Sequence, residues 1–230
     1  MKAFLFFLFT SFFLAGHAQE ETTTGLVKKV KARLDGINDY QATGNMKIDV
    51  SFMKIPESKV TVYFKKPNRF KIKKQDGISI VPKGGMNINL GSLFSGDNYT
   101  SVPAGKGNIS GTPVTIVKLL PLDEQSDVVV STLYIDEKAY LVRRAVITTR
   151  ENGTYEMEMS YGQYASRGLP DKVVFTFATK DYKLPKGLAF DYDTGDKPKS
   201  SSGAGDQKGK VEITYTGYTI NKGLDDAVFH

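Results

Sequence analysis

STLYIDEKAYLVRRAVITTRENGTYEMEMSYGQY, residues 131–164, is the stretch that decides the fold. Tyr155, Met157, Met159 and Tyr161 share one parity, and Glu156 and Glu158 take the other. A period of two belongs to a strand with one buried and one solvated face. Asp136-Glu137-Lys138 and Glu151-Asn152-Gly153 interrupt the run with turn-forming residues. Connections this short join antiparallel neighbours, because a parallel crossover needs a dozen residues or more. Strands are therefore expected at 127–136, 139–150 and 153–165, arranged as a meander.

The same grammar extends outward. Met46, Ile48, Val50 and Phe52 alternate with Lys47, Asp49 and Ser51, and Val60, Val62 and Phe64 with Thr61, Tyr63 and Lys65. Phe70 and Ile72 alternate with Lys71 and Lys73, with Ile78 and Ile80 in the same parity. Further strands are expected at 114–120, 171–180 and 210–219, set off by turns such as Gln75-Asp76-Gly77 and Leu169-Pro170-Asp171. Residues 20–38 read instead as a helix. Thr22–Thr24 offer N-caps, and Leu26, Val27, Val30 and Leu34 fall on one face. Lys28, Lys29, Lys31 and Arg33 lie mostly on the other, and Asp35-Gly36 ends the helix.

Two regions lack a period. Residues 83–113 are rich in Gly, Ser and Asn, with scattered Leu90, Leu93 and Phe94. Irregular strands, a short helix or a flap over an opening all fit them. Residues 193–210, DTGDKPKSSSGAGDQKGK, are nearly free of apolar groups and are expected to form a mobile loop joining two strands.

Residues 1–18 combine a charged start at Lys2, the apolar run AFLFFLFTSFFLA, and small Gly16 and Ala18 before Gln19. This is the pattern of a cleaved signal peptide. Six of the fourteen Phe lie in that segment. Without it, 30 basic side chains face 25 acidic ones, a mild excess that suits work near anionic surfaces without requiring it. The chain has no Cys, so it forms no disulfide and cannot take a lipid on an N-terminal cysteine. Its stability has to come from an apolar core, sized for one large all-β domain or two small ones.

Little catalytic chemistry is available. Beyond residue 18 the one histidine is His230, which removes Ser-His and Cys-His nucleophilic systems and most zinc sites. GAGDQKGKV, residues 203–211, has the wrong glycine spacing for a phosphate loop, and GKGNISG, residues 105–111, misses the dinucleotide fingerprint. Glu156 and Glu158 resemble a glycosidase pair only superficially, since their alternation with Met157 and Met159 marks a solvated face. No enzyme activity, cofactor or metal is expected, and modest charge in an exported chain gives no reason for nucleic-acid binding.

A curved sheet of roughly eight to eleven strands encloses a space that either fills with side chains or holds a ligand. The inward candidates include adaptable Met157 and Met159 beside Phe52, Phe64, Phe70, Phe175 and Phe177. From the residues alone, a packed core and a binding cavity stand equal. The order VYFKKPNRFKIKK…DGISIV, KLLPL, STLYIDEKAYLVRRAVITTRENGTYEMEMSYGQY, LPDKVVFTF and YTINKGLDDAVF resembles the outer-membrane lipoprotein carrier (LolA-like) family over most of residues 20–230. No single motif is diagnostic, and the resemblance rests on order and spacing together.

The resemblance implies a mainly β fold: a curved, half-open antiparallel β-barrel, residues 19–230 as one domain, with an N-terminal helix and a lid segment. It implies a periplasmic carrier that binds acyl chains of lipoproteins or other lipid. Its implied partners are an inner-membrane release complex and an outer-membrane acceptor, and a monomer is expected. Val50, Phe52, Val62, Phe64, Phe70, Ile72, Met157 and Met159 would line the cavity, and Leu26, Val30 and Leu34 would cover it. A lipid-sensing or glycolipid-carrying module of the same fold, and a packed structural or interaction β domain, are the alternatives. In the Lys66-Pro67-Asn68-Arg69 turn, Pro is expected at the second position. Lys66 stands where family carriers often have Arg, which puts any latch from this turn to the lid on a single ammonium. The lysines at 65, 71 and 73 read either as a solvated wall that discourages edge pairing or as a docking surface for anionic lipid or an acidic partner.

Overall fold

The computed structural model describes residues 22–50, 53–67, 69–75, 94, 98–151, 153–178 and 208–229. The expected signal peptide, Phe52, Ile78, Ile80 and residues 193–207 of the expected mobile loop lie outside the described residues, as do the side chain of Val50 and most of 83–97. Among these described residues one α-helix, α1 (Thr23–Asp35), precedes ten strands. These are β1 (Asp39–Val50), β2 (Met53–Lys65), β3 (Arg69–Lys74), β4 (Tyr99–Ile109), β5 (Thr112–Pro121), β6 (Val128–Asp136), β7 (Leu141–Thr149), β8 (Thr154–Ser160), β9 (Lys172–Ala178) and β10 (Lys208–Ile220). Short 3-10 turns follow β8 at Ala165–Arg167 and close the chain at Asp226–Phe229.

All ten strands form one antiparallel sheet in the order β3-β2-β1-β10-β9-β8-β7-β6-β5-β4. The sheet is open: β3 and β4 stand at its two ends. The last strand, β10, enters the middle and pairs with β1 on one side and β9 on the other.

The helix shows how strongly the sheet bends. Ten flat strands at about 4.8 Å per step would span roughly 43 Å. The thirteen residues of α1 measure only about 20 Å. Yet Thr24 near its start shares a 2.8 Å hydrogen bond with Ser101 on the β4 edge. Asp35 at its end accepts a 2.7 Å hydrogen bond through its carbonyl from Lys66, in the β2–β3 turn at the opposite end of the sheet. Both contacts are possible only if the sheet curls around the helix.

Most expected elements are found, with shifted ends. The helix is shorter than 20–38, capped by the Thr22 hydroxyl, which accepts from the Gly25 amide at 3.2 Å. In place of the strands expected at 139–150 and 153–165 stand β7 and β8, the latter ending at Ser160 before the 3-10 turn. Three expectations need correction. Within 83–113, residues 99–109 form a regular edge strand with a bulge between Pro103 and Lys106. Lys208, Gly209 and Lys210, expected in the mobile loop, belong to β10 and pair with Ala178, Phe177 and Thr176. The segment GKGNISG forms the end of β4 and the β4–β5 hairpin, where Ser110 and Gly111 take positive φ and the Asn108 side chain accepts from the Gly111 amide at 2.8 Å. The Lys66–Pro67 peptide is cis, so this proline does not serve as the trans second residue of a common turn.

Candidate functional site

Alternation and register place one continuous apolar face on the inside of the curl. On β2 and β3, Phe64 lies opposite Phe70, and Val62 opposite Ile72. Tyr40 and Ala42 of β1 continue the row beside Phe64 and Val62. Ile213 of β10 pairs with Val173, which lies opposite Met159; Phe175 pairs with Met157, which in turn faces Ala145. Leu133 and Val117 carry the row onto β6 and β5.

The side chains expected at the site therefore share a face but fall into two adjoining clusters. Val62, Phe64 and Ile72 pack with Ile37, Tyr40, Met46, Leu169 and Ile213. Met157 and Met159 pack with the helix, Phe175 and Leu133. Phe70, Leu34, Ile48, Val211 and Tyr215 border both. Four strand steps separate β2 from β8, about 19 Å along the sheet. That distance suits an extended aliphatic guest better than a compact one.

The helix covers the second cluster. Leu26, Val27 and Val30 are buried in it, and Leu34 is half-buried where the clusters meet. Val27, absent from the expected lid residues, has no exposed surface, whereas Leu34 keeps part of its own. Phe94, from the irregular region, is buried in the same cluster. Met157 and Val62 have no exposed surface at all. Met157 comes within reach of a guest only when the helix moves, and Val62 only when the first cluster around it opens.

Beneath the last turns of α1, a recess opens between Val30, Arg33, Leu34, Tyr140, Leu141, Val142, Tyr161 and Gly168. Its polar groups are held in place. The Tyr161 hydroxyl donates to the Val142 carbonyl at 2.9 Å, and burial pushes its pKa far above the usual phenol value. The Arg143 guanidinium stacks over the same ring at 5.4 Å and donates to Asp136 at 2.9 Å. Burial pushes the Asp136 carboxyl upward, but Arg143 and the Ala139 and Lys138 amides outweigh it and hold the group below its ordinary value. Lys29 lies over Tyr140 at 4.8 Å. Sequence reading identified the Asp136 turn but not Tyr140, which reaches the helix because the turn gives it a positive φ of 51°.

The end of the helix is tied from two sides. Lys66 donates to the Asp35 carbonyl, and the Asn221 amide donates to the Gly36 carbonyl at 2.7 Å. Asn221 also accepts from the Asn38 and Asp39 amides, while the buried Asp39 carboxylate accepts from the Lys222 and Gly223 amides. These bonds satisfy the C-terminal carbonyls that any helix leaves open. A few residues on, Asp226 pairs with Arg69 and, at 2.6 Å, with Lys65, pinning the C-terminal turn to the β2–β3 hairpin. The hydrogen bond from Arg69, followed by that from Lys65, lowers the Asp226 pKa to about 2. A depressed carboxylate pKa stabilises the fold above the unfolded value and loses that contribution as pH falls through the folded one. The carboxyl carbon resonance of Asp226 is expected to titrate near 2. In Arg69→Ala the midpoint should move up toward the ordinary aspartate value, and an unmoved midpoint would contradict the pairing.

Glu156 and Glu158 lie on the outer face, where Glu156 accepts from Arg144 at 2.6 Å. Among the described residues, no group of three or more His, Asp or Glu side chains is placed to hold a metal ion.

Known structures share this architecture. An outer-membrane lipoprotein-sorting protein domain from Vibrio parahaemolyticus aligns with a TM-score of 0.57 and 12% identity, covering 89% of this chain and 94% of its own. A LolA superfamily protein from Nitrosomonas europaea aligns with a TM-score of 0.53 and 10% identity, over 89% of this chain and 97% of its own. No family model matches the sequence, and no curated protein matches it. The chain thus has a LolA-like fold: a mainly β, open ten-stranded sheet with one N-terminal helix.

Proposed function

We propose that the protein is an exported carrier that takes acyl chains of lipoproteins or other lipids onto its inner apolar face and yields them to a tighter acceptor. The observation that supports this is the unbroken apolar face running beneath a single short helix. In this reading residues 1–18 are a signal peptide, residues 19–230 are one domain, and the compartment is the periplasm. An inner-membrane release complex and an outer-membrane acceptor would be its partners. Val50, Phe52, Val62, Phe64, Phe70, Ile72, Met157 and Met159 form the wall, and Leu26, Val30 and Leu34 the cover. Lys66 is a latch residue at the helix end and Arg69 secures the hairpin that bears it.

Magnitudes favour an opening cover. Lifting α1 exposes Leu26, Val27 and Val30, at about 2 kcal/mol each and roughly 6 kcal/mol together. A sixteen-carbon chain entering in their place contributes about 12 kcal/mol at about 0.8 kcal/mol per methylene. The guest can therefore displace the helix, and the moderate surplus leaves it free to pass to a better acceptor.

Phe70 provides the test, because it borders both clusters from the edge strand and is only half-buried. Purified protein is expected to bind a fluorescent fatty acid and to release lipid on extraction, detected by mass spectrometry. Phe70→Glu is expected to retain its circular dichroism spectrum and lose probe affinity by a factor of ten or more, the equivalent of about 1.4 kcal/mol. A folded Phe70→Glu protein that binds the probe as well as the parent removes this wall from the site. Complete absence of lipid and probe binding in the parent leaves a packed structural domain.

A further inference from the structure

We infer that the outer face of β1–β3 is a docking surface for the anionic headgroups of a membrane, separate from the inner face that would hold cargo. The register sets six cations on this one surface. Lys65 lies opposite Arg69, Lys71 opposite Tyr63, Lys73 opposite Thr61, Lys59 opposite Asn45, and Lys47 on β1 shares the parity. Against them on these strands stand Asp39, opposite Lys65 but buried and held by the Lys222 and Gly223 amides, Asp49 and Glu57, with Glu212 of β10 opposite Lys47 and Asp226 from the C-terminal turn. Asp226 is already engaged by Lys65 and Arg69 at the hairpin end. Lys47, Lys59 and Lys73 are exposed farther along the strands.

Elsewhere on the outer face cations and anions meet in pairs: Arg144 with Glu156 at 2.6 Å, and Lys172 with Glu212 at 2.7 Å. Like charges on neighbouring strands work against the sheet, so the β1–β3 array is balanced better by charge from outside. The shape of the array selects the partner. Protein interfaces are built around apolar and aromatic cores depleted in lysine. Among the described residues, the exposed large apolar ones, Val102, Leu120, Leu122 and Val129, all lie on β4 to β6 and the β5–β6 turn, at the opposite end of the sheet. The basic face instead spreads ammonium groups over an open pleat, with half-buried Tyr63 in their midst. Ammonium groups act as point charges rather than rigid forks, which suits many dispersed phosphates. A tyrosine ring is at home at headgroup depth.

The test is sedimentation of the mature protein with phosphatidylcholine vesicles, with and without phosphatidylglycerol. Binding is expected with the anionic vesicles alone, fading as salt shortens the screening length from about 10 Å at 0.1 M to about 3 Å at 1 M. The double variant Lys59→Glu/Lys73→Glu should lower the partition coefficient about tenfold or more. Lys118→Glu, exposed on β5 at the other end of the sheet, should stay within about twofold. Fatty-acid affinity should be unchanged in both variants, so failure of this proposal and failure of the cargo reading give different results. Equal binding to both vesicle types, no vesicle binding, or a double variant that sediments like the parent overturns it. So does capture of an acidic protein through these lysines without any vesicle binding.

Discussion

Met157→Lys is expected to abolish cooperative folding. Met157 has no exposed surface and sits on β8 between Ala145 of β7 and Phe175 of β9, with Tyr155 and Met159 on the same face. An ammonium there has no partner and no path to water that keeps the strand in register. Leaving such a charge unpaired costs about 4 kcal/mol or more. Domains have only about 5–15 kcal/mol to lose. Urea titration followed by circular dichroism should show a transition shifted to very low urea or missing. Met157→Leu, which conserves volume, should lose less than about 1.5 kcal/mol. A lysine variant with the parental midpoint would mean that the inner face is wet at its centre, contrary to the burial described above.

Gly44→Ala is expected to cost nearly as much for a different reason. A Cβ at position 44 would lie 2.5 Å from the Thr214 carbonyl oxygen and 3.1 Å from both the Thr214 carbonyl carbon and the Tyr215 Cα. All three are backbone atoms of β10, so no side chain can swing aside. Relief requires parting β1 from β10 at the bulge between Thr43 and Gly44. The overpacking penalty is expected near the top of its usual range, about 3 kcal/mol. For a chain of this size that lowers the melting temperature by about 10 °C. Gly36→Ala is the control, since a Cβ there meets nothing within 4 Å. Equal melting temperatures for the two variants would refute the close approach.

What sequence could reveal depended on whether an element shows two different faces. Strands β5 to β9 bury alternate residues, so period two marked them in the sequence within a few positions. Strand β4 went unrecognised because it is an edge strand exposed along nearly its whole length, and PAGKGN offers no alternation. The first residues of β10 were hidden for a related reason: Lys208 and Lys210 are exposed, and Gly209 has no side chain to show. The inward parity of Val62, Phe64, Phe70, Ile72, Met157 and Met159 was legible. Their division into two clusters was not, because it depends on β10 entering between β1 and β9.

Contacts between distant positions were the least legible. Asn221 to Gly36 and Asp226 to Lys65 join residues more than 150 positions apart, and nothing local to either end announces the pairing. Lys66 is instructive. Lysine lacks the planar fork of arginine, which left any latch at this turn to a single ammonium. The acceptor it reaches is one backbone carbonyl at 2.7 Å, and a single ammonium hydrogen suffices for that.

The place of β10 sets an order of events during synthesis. Before its residues leave the ribosome, β1–β3 and β4–β9 have no ladder between them, because β10 supplies both joining edges. Among the described residues, a nascent chain that has not yet reached Lys208 is therefore two unfinished pieces of sheet. Only when the last strand slots in, and Asn221 fastens the helix behind it, does the molecule lock. A polypeptide built this way cannot complete its sheet until β10 has been made.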